Sequence, residues 1–213
     1  MIRSILLKPS KYISYKNIRP FYFDFYKKFV DIKEKEYSLE HVIPQSLYCN
    51  EKLLKRDLHN IILYPSKVNT HRSNYKYISD FKIFPNSKIL DNMGNEIEYT
   101  EPISDREIYI KTNGKKNFYP ADKYRGLIAR SSMYFANTYP DYQDTIFKKI
   151  IDPYTILMWH HEYPISNFEL NKNKFIYELQ GNKNLYISEP KLLVLDMENI
   201  LGENLDVYQN YKY

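Results

Sequence analysis

The chain has 213 residues, enough for one domain with a real core, and its 31 basic and 26 acidic side chains leave a net charge of +5, a modest bias towards polyanions rather than a strongly basic coat. The single cysteine, Cys49, excludes an intramolecular disulfide and a multi-cysteine zinc site. No stretch approaches a membrane span. Residues 1–10 carry a three-residue apolar run, short of a secretory h-region, so the expected setting is intracellular or viral. The 23 tyrosines accompany many Asn, Lys and Ile residues, which reads as an AT-rich coding bias, and no individual tyrosine is given a role.

In chain order, residues 19–30 predict an aromatic-rich helix with Pro20 in its first turn. Glu40-His41-Val42-Ile43 is a short strand stopped by Pro44, and residues 60–64 a second, stopped by Pro65. Ser66 is the expected N-cap of a helix starting near Lys67, with Asn69 in its first turn. Two strands packed on that helix bring Asn69 back beside Glu40 and His41. Residues 81–119 are β-prone, with a hairpin turn at Thr112-Asn113-Gly114-Lys115. Asp122 can cap a helix running to about Tyr139, and Asp152-Pro153 opens another towards His160. Ser166-x-x-Glu169 is a capping box; Phe168, Phe175, Ile176 and Leu179 then share a helical face that stops at Gly181. The expected class is α+β, a small ββα core at about 38–78 within a helix-rich single domain. A supporting β and helical region covers 79–190, and 191–213 form an amphipathic C-terminal extension.

The segment 38–74 concentrates the chemistry. It reads Ser-Leu-Glu40-His41-Val-Ile-Pro44-Gln45-Ser46, then Asp57-Leu58-His59-Asn60, then Val68-Asn69-Thr-His71-Arg72-Ser73-Asn74. A carboxylate and an amide oxygen suit a hard cation such as Mg2+, and an imidazole can take a proton from water near neutral pH. Together they suit cutting a phosphodiester with one divalent cation. Each residue alone has an ordinary explanation: a packed histidine, an Asn in a cap or turn, prolines as loop punctuation. Adjacent His160 and His161 point to different faces of a helix and cannot easily share one ion, so packing beside Trp159 is expected of them.

This window resembles the endonuclease I family of ββα-metal (His-Me finger, HNH-like) non-specific nucleases. Two further blocks are similar to that family in the same order. One is Pro120-Ala-Asp-Lys-Tyr-Arg125-Gly126-Leu-Ile128-Ala129-Arg130-Ser-Ser-Met-Tyr134. The other runs from Trp159 through Pro164, Glu169 and Asn173 to Gln180-Gly181-Asn182-Lys183-Asn184. The resemblance implies an endonuclease that hydrolyses DNA, with RNA left open, gives 5′-phosphate products and has little sequence preference. It implies His41 as general base, Glu40 and Asn69 as ligands of Mg2+, Mn2+ or another divalent cation, and His59, Asn74, Glu169 and Asn173 as structural support. Some family members set an arginine near the scissile phosphate in the loop after the Glu-His strand. Here that loop is short and the arginine has no aligned counterpart; Lys52, Lys55, Arg56 and Arg72 are the candidates nearby. Lys172, Lys183, Leu185-Tyr186 and Phe135 also depart from the family pattern. Arg125 and Arg130, with Lys111, Lys115, Lys116 and Lys123, form a basic cluster able to track a phosphate backbone, although scattered lysines usually mark a solvated face. A second reading is a nucleic-acid-binding protein that kept the fold and lost catalysis. An unspecific nuclease in a cell also needs an inhibitor, a compartment or timing to restrain it, and the sequence displays none of these.

Overall fold

Residues 61–65 are buried along the whole strand, and the alternation of their side chains arranges much of the molecule around them. In the computed structural model, which describes residues 8–48, 51–79, 87–98, 109–112 and 116–202, Ile62 and Tyr64 enter one apolar core while Ile61 and Leu63 enter a second. Strand β1 (Tyr37–His41) pairs antiparallel with β2 (Ile61–Pro65), Glu40 opposite Ile62 and His41 opposite Ile61. Both expected strands form, shifted by one to three residues at their ends.

The second core is closed by helix α1 (Tyr15–Tyr26), which contributes Ile18, Tyr22, Phe23, Phe25 and Tyr26. This helix starts four residues before the expected start at residue 19, so Pro20 lies inside it. Proline cannot donate to the Lys16 carbonyl, but Lys16 is exposed, so water can take that bond while the apolar face of the helix stays seated. Helix α2 (Ser66–Arg72) follows β2 directly and inserts Val68 into the first core. Ser66 is not the expected cap: Pro65 holds the cap position without a side-chain bond, and the Ser66 carbonyl instead accepts from the Thr70 hydroxyl.

A second sheet takes the order β3 (Lys76–Tyr77), β7 (Asn117–Tyr119), β6 (Tyr109–Thr112), β4 (Ser87–Leu90), β5 (Glu96–Ile97). Among the described residues of this sheet only the β3–β7 pairing is parallel. β6 and β7 pair around the expected hairpin turn, with Thr112 opposite Asn117; residues 113–115 of that turn lie outside the described residues, as do Cys49 and the parts of the β-prone region at 80–86 and 99–108. The turn after β4 packs onto α2 so closely that a Cβ on Gly94, whose φ is +84°, would stand 2.6 Å from the Val68 backbone nitrogen.

Among the described residues six helices complete the α+β architecture: α3 (Asp122–Thr138), α4 (Gln143–Lys149), α5 (Pro153–Glu162), α6 (Asn167–Gln180), α7 (Leu185–Ser188) and α8 (Lys191–Leu201). Asp122 is the first residue of α3 rather than its cap and pairs with Arg125 at 2.8 Å. Asp152 caps α5 by accepting from the Thr155 N–H, and the Ser166/Glu169 capping box and the left-handed Gly181 bound α6 as the sequence predicts. The extension forms α8, and residues 203–213 lie outside the described residues. Among the described residues no helix is long and apolar enough to cross a membrane.

The turn 57–60 joins these parts. Asp57 is fully buried; its carboxylate accepts from the hydroxyls of Tyr134 and Tyr139, each at 2.8 Å, from Gln180 Nε2 at 3.1 Å and from the His59 N–H at 3.0 Å. Gln180 Oε1 accepts in turn from the Leu58 N–H. The His59 ring packs on Tyr134, and its Nε2–H donates to the Asn182 carbonyl.

These buried histidines make stability depend on acid. Burial, aided by the charge of Lys172, pushes the His59 pKa down to about 3 against the Asn182 hydrogen bond. Below the ordinary value of 6.5 the unfolded chain therefore takes up a proton that the folded chain refuses until about pH 3. His41 and His160, each pushed down to about 4, act in the same direction. Asp57, raised by burial, acts in the opposite direction. Glu40, raised by burial to about 7, also opposes them; with three histidines against two carboxylates, urea midpoints are expected to fall from pH 6.5 towards pH 4. The decline should be shallower in His59→Gln.

Candidate active site

The first core lies on the Glu40 face of β1 and the second on the Leu39 face, so alternation sends Glu40 towards α2 and His41 towards α1. The strand ends at His41, and there both side chains reach one open cleft of about 350 Å³. Leu39, Pro44, Gln45, Ser46, Asn69, Arg72, Ser73 and Asn74 complete its lining. The structure thus brings Glu40, His41 and Asn69 together.

Glu40 is 4% exposed, and its partner is Arg72, which is 0% exposed. Arg72 Nη1 lies 2.8 Å from Glu40 Oε1 as an ion pair, yet no donor is aligned on that oxygen for a hydrogen bond. The guanidinium spends its hydrogen bonds on the chain instead: Nη1 donates to the carbonyls of His41 and Ser73, and Nη2 to that of Val42. Its plane lies over the Tyr77 ring, 4.5 Å from the centroid. Burial raises the Glu40 pKa to about 7, opposed first by the charge of Arg72 and then by Tyr77.

The imidazole of His41 is held from both sides. Its Nε2 is 3.0 Å from the Lys55 carbonyl and its Nδ1 is 3.0 Å from Gln45 Nε2. A carbonyl only accepts, so Nε2 carries the hydrogen and Nδ1 keeps the lone pair. Burial first, then the charges of Arg72 and Lys55, push the pKa down to about 4 against the Lys55 hydrogen bond, so the ring is neutral at physiological pH. The Tyr15 ring stands 6.3 Å away and nearly parallel, at 16°. The loop beyond His41 is pinned by Asn60, whose side chain accepts from the Ile43 N–H and donates to the Ile43 carbonyl and the Tyr48 hydroxyl.

Asn69 Nδ2 donates to Ser38 Oγ at 3.0 Å and to the Leu39 carbonyl at 3.1 Å, which ties α2 to β1 and leaves its Oδ1 without a protein donor among the described residues. A buried carboxylate oxygen without an aligned donor and an amide oxygen lining the same cleft fit a hard divalent cation that completes its shell with water and substrate. Among the described residues no group of three or more His, Cys, Asp and Glu lies together, and this donor set contains one carboxylate.

The other sequence candidates have separate positions. Arg72 is committed to Glu40 and the strand end, without exposed surface to offer a phosphate. Arg130 forms a buried bidentate pair with Glu169, both bonds 2.7 Å, and also donates to the Tyr163 carbonyl. Arg125 is spent on the Pro120 carbonyl, Asp122 and the Tyr163 hydroxyl, over the ring of Tyr119. Neither Arg125 nor Arg130 lines the cleft. Lys52 is exposed and Arg56 half-buried. His59 bonds to Asn182 rather than orienting His41, Asn74 is exposed at the cleft, and Asn173 makes reciprocal bonds with the Asn184 backbone. His160 is buried against Arg130, and His161 is exposed.

Sequence reasoning missed the Lys55 carbonyl, Gln45 and Tyr15. The first acts through its backbone and carries no side-chain signal. Gln45 did have one, four residues past His41 on a turn.

The sequence profile of the family described as Endonuclease I matches residues 13–191. The chain is 27% identical over 139 residues to "Endonuclease-1" of Buchnera aphidicola subsp. Baizongia pistaciae (strain Bp), covering 65% of this chain and 48% of that protein. It is 24% identical over 136 residues to "Extracellular deoxyribonuclease" of Aeromonas hydrophila, covering 64% of this chain and 51% of that protein. The chain thus spans about half the length of the curated relatives it matches.

Arg72→Met should show what the guanidinium contributes. It leaves a buried carboxylate and two strand-end carbonyls unpaired, a loss of about 3–5 kcal/mol. Urea unfolding at pH 8, above the Glu40 pKa of about 7, measures it.

Proposed function

Because the chain belongs to the endonuclease I family, we propose that it is a divalent-metal-dependent endonuclease hydrolysing phosphodiester bonds of DNA with little sequence preference. The observation that carries this reading is a neutral imidazole whose Nε2 is anchored on a carbonyl and whose Nδ1 lone pair shares one cleft with a buried carboxylate and an amide oxygen. Glu40 and Asn69 would hold Mg2+, Mn2+ or a similar cation, which supplies positive charge for the scissile phosphate and the leaving 3′-oxygen.

The chain's own residues do the rest. His41 Nδ1 removes the proton from the attacking water, and the Lys55 carbonyl stabilises the positive charge the ring then carries. Arg72 keeps Glu40 and the strand end in place while substrate enters. Attack on phosphorus breaks the bond to the 3′-oxygen, which takes a proton from solvent and departs as a 3′-hydroxyl, leaving a 5′-phosphate on the other product. Exposed cations such as Lys52 contact the backbone rather than base edges, which accounts for weak sequence preference.

The roles separate in a supercoiled-plasmid assay at low salt. Wild type with Mg2+ should nick and then degrade the plasmid, and EDTA should stop it. His41→Ala should lose about 10²–10⁴-fold in rate while still retarding DNA on a gel. A wild type that binds DNA but leaves it intact across several divalent metals would instead support the silent-binder reading. Titration calorimetry with Mn2+ and no nucleic acid should give weaker binding for Glu40→Ala and Asn69→Ala; wild-type isotherms for both would place the metal elsewhere.

A further inference from the structure

Gln45 opens the short turn Gln45–Leu47 that follows Pro44. Its Nε2 is 3.0 Å from His41 Nδ1 and 3.4 Å from the Tyr15 hydroxyl. The direction of the first bond is forced. The Lys55 carbonyl takes the Nε2 hydrogen of His41, so in the neutral ring Nδ1 is an acceptor and Gln45 must present its amide N–H to it.

That lone pair is the one the proposed reaction uses. A lone pair already accepting from Gln45 cannot also remove a proton from water. The free protein is therefore not poised for catalysis: its base is intact, oriented and engaged. Gln45 is half-buried and lines the cleft that the substrate must enter. A phosphate oxygen there is a charged acceptor, and charge-assisted hydrogen bonds are about twice as strong as neutral ones. The Tyr15 hydroxyl already accepts from the same amide nitrogen and gives it a second partner.

We propose that Gln45 is a latch on the general base: it holds His41 Nδ1 in the free protein, and a nucleic-acid phosphate entering the cleft draws its amide away. The proposal rests on the reading of His41 as base, and gives Gln45 the task of coupling substrate entry to exposure of the lone pair. Gln45 acts through His41 and is a positioning residue.

Nitrogen-15 NMR of the His41 ring in EDTA tests this without turnover, using wild type and Gln45→Met, each alone and with a short DNA duplex. The methionine has similar length and no donor. In the free protein the variant should move the Nδ1 resonance towards that of an unbonded imidazole nitrogen. Adding duplex should move the wild-type resonance the same way and leave the variant nearly unchanged. With Mg2+, the variant's kcat/KM should rise about two- to tenfold, the factor for one neutral hydrogen bond no longer broken on binding. A wild-type resonance that stays put on saturation with duplex overturns the latch, as does a tenfold or greater fall in kcat/KM for the variant. If wild type cuts nothing, the reading of His41 as base fails, while the resonance still reports whether Gln45 lets go.

Discussion

A carboxylate buried without charge compensation is costly, and Asp57 is fully buried. Its acceptor sites are filled from two distant stretches, the end of α3 through Tyr134 and Tyr139 and the end of α6 through Gln180, and from its own turn through the His59 N–H. That requirement fixes where the loop after β1 returns to the sheet. Lys55 lies two residues before Asp57, and its carbonyl decides which nitrogen of His41 carries the hydrogen. A structural carboxylate thus sets the state of the proposed base through a carbonyl close to it in the chain, without touching the ring.

The electrostatics on the other side of β1 follow a similar logic. Glu40 is carried into the first core by strand alternation, and only a buried cation makes that tolerable. Arg72 meets the need, but its Nη hydrogen bonds go to the carbonyls of residues 41, 42 and 73, so it grips the strand end while leaving a carboxylate oxygen without an aligned donor. A lysine could not reach three carbonyls and a carboxylate at once.

Much of this was legible in the residues. The β-prone runs on either side of the 42–60 loop, the helix after Pro65, the Ser166/Glu169 box and the Gly181 stop all rest on local rules, and the structure has each of them. What failed locally failed for tertiary reasons. Pro20 sits inside α1 because the second core needs the earlier turn carrying Ile18, and Ser66 gives up the cap because α2 follows β2 without a break. Arg125 and Arg130 resembled phosphate contacts because a guanidinium in a basic cluster reads alike whether it faces solvent or a buried Glu169. The Lys55 carbonyl was beyond reach, since the backbone of every residue looks the same in a sequence.

The residues proposed to cut lie between positions 40 and 72, yet the scaffold that sets them closes on position 180. Pairings of such separation form late, because a long loop must be closed before any contact repays it. During synthesis the residues around His41 leave the ribosome well before Gln180 exists to engage Asp57 and Leu58. The His41 tautomer and the setting of the 42–60 loop are therefore properties of the finished fold, and a nascent or truncated chain carries the chemical groups of the site without their arrangement.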